Sequence, residues 1–270
     1  MELGSKIWGM AAVAVLIAGA PAAAVAAGGQ ALDAKQIVQQ AVNAQLAADR
    51  DDNSHWRYLK HEDGGDSFFV VETEHGAISR HVSEGGHPAS ARTLHDDDEN
   101  IQKFIHDPGM QQKQRQNGAN DDKSATELLN LMPEAFLWKV VSDAADMTTL
   151  SYVPNPNFDP PDSEARVMGS MSGTLVVSKP LRRIRTFKGR LQRDVTIGFG
   201  FLARIKAGST FDIERRETAP GLWQITETHV HISGHALFFK TIGTQEDEVK
   251  SEFSPVPPGT TLEQAVGMLK

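Results

Sequence analysis

The chain has 270 residues, 35 acidic against 27 basic side chains, a formal net charge of -8 and no cysteine. Without cysteine there are no disulfides, thiolate metal sites or thiol nucleophiles, so buried apolar surface must hold the fold together, and this length suffices for one core. The acidic residues concentrate between Ala31 and Met147, where 21 oppose 11 basic ones, a balance that argues against nucleic acid as a partner.

Lys6, the apolar run Trp8 to Gly19 and the small residues ending Ala24-Val25-Ala26 make up the three parts of a secretory signal peptide. The run is too short to span a bilayer, so residues 1–26 read as a leader and the remaining chain as an exported, periplasmic, soluble protein with no integral membrane segment. Gln30 to Asp49 carries apolar residues at helical spacing and is capped near Asp33. Trp56 to Leu59 is a short strand, and Ser67 to His75 with Ala77 to Glu84 forms a hairpin about Gly76. The pairs Phe68-Phe69 and Val70-Val71 make that first strand apolar on both faces, which predicts cover on both sides.

Asp96 to Glu99 stands ahead of Ile101, Phe104 and Ile105, where acidic side chains suit a helix start better than a calcium loop, because the alternating ligands and turn glycine of such a loop are absent. Pro108-Gly109 ends that helix, Gln111 to Lys123 is a polar connection or frayed helix, and Thr126 to Phe136 is a second short helix. Together these predict a helical insertion at about 92–131. Strands follow at Phe136 to Val140, Leu150 to Tyr152, Gly173 to Ser178 and Arg182 to Phe187, then a turn at Lys188-Gly189 and a strand from Arg190 to Asp194.

The longest regular stretch runs from Val195 to Lys240. Its alternating apolar residues, interrupted at Gly208, Pro220-Gly221 and Ser233-Gly234, predict a four-strand antiparallel meander. Glu246 to Phe253 adds a last strand and Thr261 to Leu269 a closing helix. The sum is one α+β domain over residues 31–270: a curved antiparallel sheet, an incomplete half barrel, with helices covering its concave side. Ile197, Phe199, Phe201, Phe211, Ile213, Trp223 and Ile225 are the expected lining of an apolar pocket there, or else simply pack on the helices.

Three constellations carry candidate chemistry. His229 and His231 share a strand face with Glu227 and, with His235, could hold zinc, or could ride an exposed sheet surface. Lys179 to Arg193 is a basic hairpin whose Arg183, Arg185 and Lys188 could meet anionic headgroups, or could guard a sheet edge. Gly198 to Ala203 matches a dinucleotide fingerprint only as a string, since no helix follows. Gly169 to Gly173 is no nucleophile elbow, because Met171 holds the central position. No cofactor motif stands out and nothing asks for an enzyme.

From about Phe136 to Phe253 the order of Gly173-Thr-Leu-Val-Val-Ser178, Arg190-Leu-Gln-Arg-Asp-Val195, Gly200-Phe-Leu-Ala203, Gly208-Ser-Thr-Phe211, Trp223 and Ala236-Leu-Phe-Phe-Lys240 resembles the LolA-like periplasmic lipoprotein carriers, particularly the outer membrane lipoprotein-sorting protein homologues. The resemblance implies an incomplete antiparallel barrel, helices closing its mouth and an apolar cavity that shields acyl chains, with no catalytic residues. The leading expectation is therefore a carrier of a lipid or acylated ligand. The others are a regulatory or scaffold module contacting another envelope protein, and a metal-dependent hydrolase using His229 and His231.

Overall fold

The computed structural model describes residues 33–197, 203–236 and 240–270, the side chains of 197, 203, 235–236 and 240–244 excepted. The leader expected at residues 1–26 lies outside them. In chain order the elements are α1 (Ala34–Asp51), β1 (His55–Glu62), β2 (Ser67–Thr73), β3 (Gly76–Glu84), β4 (His87–Pro88), α2 (Ala91–His106), α3 (Pro108–Ala135), β5 (Phe136–Asp143) and β6 (Met147–Pro154). They continue with α4 (Ser163–Met168), β7 (Met171–Ser178), β8 (Ile184–Leu191), β9 (Val195–Ile197), β10 (Ala203–Ile205), β11 (Thr210–Ala219), β12 (Leu222–Ala236), β13 (Lys240–Val256) and α5 (Leu262–Val266).

The strands form one sheet in the order β4-β3-β2-β1-β13-β12-β11-β8-β7-β6-β5, with β10 joining β12 and β9 joining β10. Every pairing is antiparallel. The two ends of this path, β4 and β5, do not pair with each other, so the sheet is not closed. The chain is thus α+β with a large antiparallel sheet, as its strand spacing predicts.

One face of the β5 to β12 half is apolar because alternate residues of each strand point the same way. Leu150 and Tyr152 of β6, Leu175 and Val177 of β7, Phe187 of β8, Phe211 and Ile213 of β11 and Val230 of β12 pack there against Val38, Ala41 and Val42 of α1, Leu129 and Met132 of α3 and Met168 of α4. Asp33 starts α1 with a reciprocal capping box, its carboxylate accepting from the Gln36 N–H at 2.8 Å, as the sequence predicts. On the opposite face, Val71 of β2 and Ile78 of β3 pack on Ile101 and Phe104 of α2 and Leu262 and Ala265 of α5. Tyr58 and Val70 are direct cross-strand partners and lie on the other side, with Trp56 and half-buried Phe68 and Phe253. The Phe68 to Val71 run is therefore covered on both sides, for the reason its composition gave.

Four expectations are corrected. Ser90 caps α2, so the acidic run lies in mid-helix, where Asp98 pairs with Arg80 at 2.8 Å and Asp97 accepts from the His81 N–H at 2.8 Å. Pro108 ends nothing beyond α2: it takes the first turn of α3, where its missing N–H costs no hydrogen bond, and α3 then runs unbroken through the polar stretch to Ala135. Lys188-Gly189 and Ser233-Gly234 are not turns; they lie inside β8 and β12. The β1–β13 ladder carries an extra residue on β13 between the Arg57–Ser254 and Leu59–Ser251 pairs, and Glu252 at φ 54 sits in that bulge. The bulge turns Lys250 and Glu248 onto the Tyr58 side of the sheet.

Candidate functional site

The apolar face under α3 and α4 carries three of the seven expected pocket residues, Phe211, Ile213 and Ile225. Leu128, Leu129 and Met132 of α3 and Met168 of α4 oppose Ile184 and Phe187 of β8, Ile213 and Arg215 of β11 and Ile225 of β12, leaving a cavity of about 20 Å³. Ile213 and Ile225 are expected lining residues and do line it. Phe211 is buried in the same core, its ring 4.7 Å from that of Phe187. Trp223 is half-buried, with its indole Nε1 buried and without a hydrogen-bond partner. Phe199 and Phe201 lie outside the described residues, as does the side chain of Ile197.

A cavity this small holds about one water at most, not a chain. The face is filled chiefly by aromatic rings, of which only Phe211 is among the expected lining residues. Phe136, Trp138, Tyr152, Phe187 and Phe211 form a continuous file, each ring 4.7 to 5.5 Å from the next. The Tyr152 hydroxyl donates to the Lys188 carbonyl oxygen at 2.9 Å, and burial pushes this phenol far above its ordinary pKa. The legible signal for the file is the alternation of Phe136, Trp138 and Val140 and that of Leu150 and Tyr152.

Behind this file lies a buried polar cluster. The Arg183 Nε donates to the Gln45 Oε1 of α1 at 3.1 Å, and its guanidinium pairs with Asp49 at 3.6 Å. Arg215 is buried nearby. Burial lowers the pKa of both arginines, opposed by the Asp49 carboxylate. Arg183 is therefore no headgroup contact: it faces inward and fastens the end of α1 to the sheet. Arg185 points toward Glu214 at 4.0 Å, and Lys188 is tied to Asp212 at 2.6 Å.

The histidines lie on the outer face of β12. His229 Nδ1 is 2.7 Å and His231 Nε2 2.8 Å from the carboxylate of Asp247 on β13, while Glu227 is held by Arg216 at 2.6 Å. Burial opposes ionisation of Asp247, yet hydrogen bonds from His229, His231 and Gln245 hold it below the usual carboxylate range. The acid that would complete a site is spent as a bridge. Among the described residues no group of three or more histidines and acids is placed to hold a metal, and the His235 side chain lies outside them. Also among the described residues, no helix is long and apolar enough to cross a membrane.

Comparison with protein-family models, with curated proteins and with solved structures finds no match for this chain.

Proposed function

We propose that this chain is an exported, periplasmic carrier that shields an acyl chain or lipidated ligand from water within a half barrel, its sheet curved and α1, α3 and α4 covering the concave side. The observation that carries the reading is the seam beneath α3 and α4. Eight of its nine lining residues are apolar, and it separates helices from a sheet to which no disulfide joins them. Movement of α3 and α4 away from Ile184, Phe187 and Ile213 would open a groove, and a chain laid in it gains about 0.8 kcal/mol per methylene buried. Such a carrier needs no covalent chemistry and no cofactor.

The test is mass spectrometry of an organic-solvent extract from protein purified without detergent. Stoichiometric phospholipid or fatty acid is expected. A clean extract with no lipid taken up on titration overturns the carrier. A second reading, a non-catalytic scaffold binding another envelope protein, is favoured by the small size of the cavity together with Leu137, Val141 and Val153. These stand 53, 53 and 49 % exposed on β5 and β6, with Leu137 directly opposite Val153.

A further inference from the structure

A larger opening lies at the other end of the same face and shares no lining residue with the seam. It measures about 470 Å³, within the size range of small-molecule sites. Ile37 and Gln40 of α1 form one wall, and Val140 of β5, Thr148 of β6 and Val177 of β7 the other. Val177 is buried and Ile37 and Val140 are half-buried, so the interior is apolar.

The mouth is charged, and its charges are not balanced. Asp143 is already occupied: it accepts from the Thr148 Oγ1 at 2.8 Å and pairs with the Lys179 Nζ at 2.7 Å, and these two contacts hold its carboxyl below the usual range. Arg182 stands exposed at the rim with no carboxylate partner among the described residues. Its backbone lies at φ 52, in the left-handed region that glycine enters without strain and other residues rarely do. In a chain of net charge -8, the β7–β8 turn thus holds an unmatched guanidinium over an apolar cleft, in a conformation that favours a residue without a side chain.

We propose that this cleft binds a single-chain anionic amphiphile, a long-chain carboxylate, with its hydrocarbon against Ile37, Val140 and Val177 and its head group at Arg182. The guanidinium fork matches a carboxylate in shape and charge. The site is open as it stands and needs no helix to move, so it stands or falls separately from the seam beneath α3 and α4.

The experiment is a titration of the purified protein, with its isoleucine, leucine and valine methyl groups labelled for NMR, using dodecanoate below its micelle concentration and its methyl ester as control. Saturable shifts at the Ile37, Val140 and Val177 methyls are expected for dodecanoate. Arg182→Glu should weaken dodecanoate roughly tenfold or more, the scale of one lost hydrogen-bonded charge pair, and leave the ester unchanged. Arg182→Gly should weaken it as well while the thermal midpoint holds or rises, which separates the head-group role from a defect in the turn. Non-saturating shifts, or Arg182→Glu binding dodecanoate like the parent, would overturn the proposal. Shifts at Leu129 and Ile213 in place of the cleft would overturn it in favour of the seam. Cleft shifts from a protein whose seam methyls stay silent would uphold the cleft and leave the seam without a ligand, which sets the two sites apart.

Discussion

Tyr152, Gly173, Gly189 and Phe211 face one another across β6, β7, β8 and β11, and the two glycines are what let the two rings lie flat on the sheet. A Cβ on Gly173 would come within 2.8 Å of the Tyr152 hydroxyl and nearer still to the Lys188 carbonyl oxygen, and one on Gly189 would overlap both the Phe211 ring and the Tyr152 hydroxyl. Gly189→Ala should therefore lower stability by about 1–3 kcal/mol or more in urea denaturation, the range for overpacking a filled core. Gly118 in α3 has nothing within 4 Å of such a Cβ, so Gly118→Ala should instead raise stability by about 0.5–1 kcal/mol. A negligible loss at Gly189 would show that the file of rings yields to the extra methyl. Glu72 offers a second residue-level test. Its carboxylate accepts from the Trp56 N–H at 3.2 Å, and burial, opposed chiefly by Lys250, raises its pKa. The folded state thus binds this proton more tightly than the unfolded chain. Any stability from Glu72 is present below the ordinary carboxylate range and is lost as pH rises through the raised value. Glu72→Gln keeps an acceptor for Trp56 and no charge, so its thermal midpoint should gain on the parent more at about pH 8 than at about pH 5. A gain that is flat or shrinks with pH would mean that the carboxylate is adequately solvated.

At the scale of elements, sequence legibility followed the reach of each interaction. The α1 cap, the β2–β3 hairpin and the two-sided burial of Phe68 to Val71 depend on residues a few positions apart, and each was readable. Gly189 reads as a turn in the sequence because its reason, a ring from Phe211 two strands' worth of chain away, is invisible in local composition; Gly234 likewise continues β12 into its pairing with β13. The pocket residues divided the same way. Phe211, Ile213 and Ile225 were recognisable from alternation, whereas the inward turn of Arg183 depends on Gln45 and Asp49, far off along the chain. α3 is the clearest case. Its buried residues, Ala125, Leu129, Met132, Pro133 and Ala135, all lie from Ala125 onward, so the polar stretch before them lacks the stripe that marks a helix. What holds that stretch is a pair of backbone clamps: Gln114 accepts from the Ala77 N–H at 2.8 Å and donates to the Ala77 carbonyl at 3.1 Å, and Arg115 donates to the His75 carbonyl at 2.9 Å. Hydrogen exchange should be faster over residues 108–124 than over 125–135, and Gln114→Ala should widen that gap without a comparable loss of global stability. Uniform protection along α3 would contradict this division.

For the molecule as a whole, β13 is the joint. It pairs with β1 on one side and β12 on the other, bringing His55 opposite Val256 and so closing nearly the whole described chain into one sheet. The β1–β4 wing has its own core with α2 and α5, and the β5–β12 wing its own with α1, α3 and α4. Separate cores would allow separate unfolding, but the long β13 ladders and the two ends of α3, clamped to β3 at one and packed in the seam at the other, oppose it. Two tryptophans report on the two wings: Trp56 stands edge-on to Phe253 at 5.9 Å, and Trp138 lies 5.2 Å from Tyr152. Variants retaining only one of these as the reporter, the other tryptophans being phenylalanine, should show coincident urea transitions with equal slopes, the mark of one cooperative unit. Transitions that separate would make β13 a hinge between two independently stable wings. In that case opening of the seam would involve the sheet itself, and not only α3 and α4 moving over a fixed one.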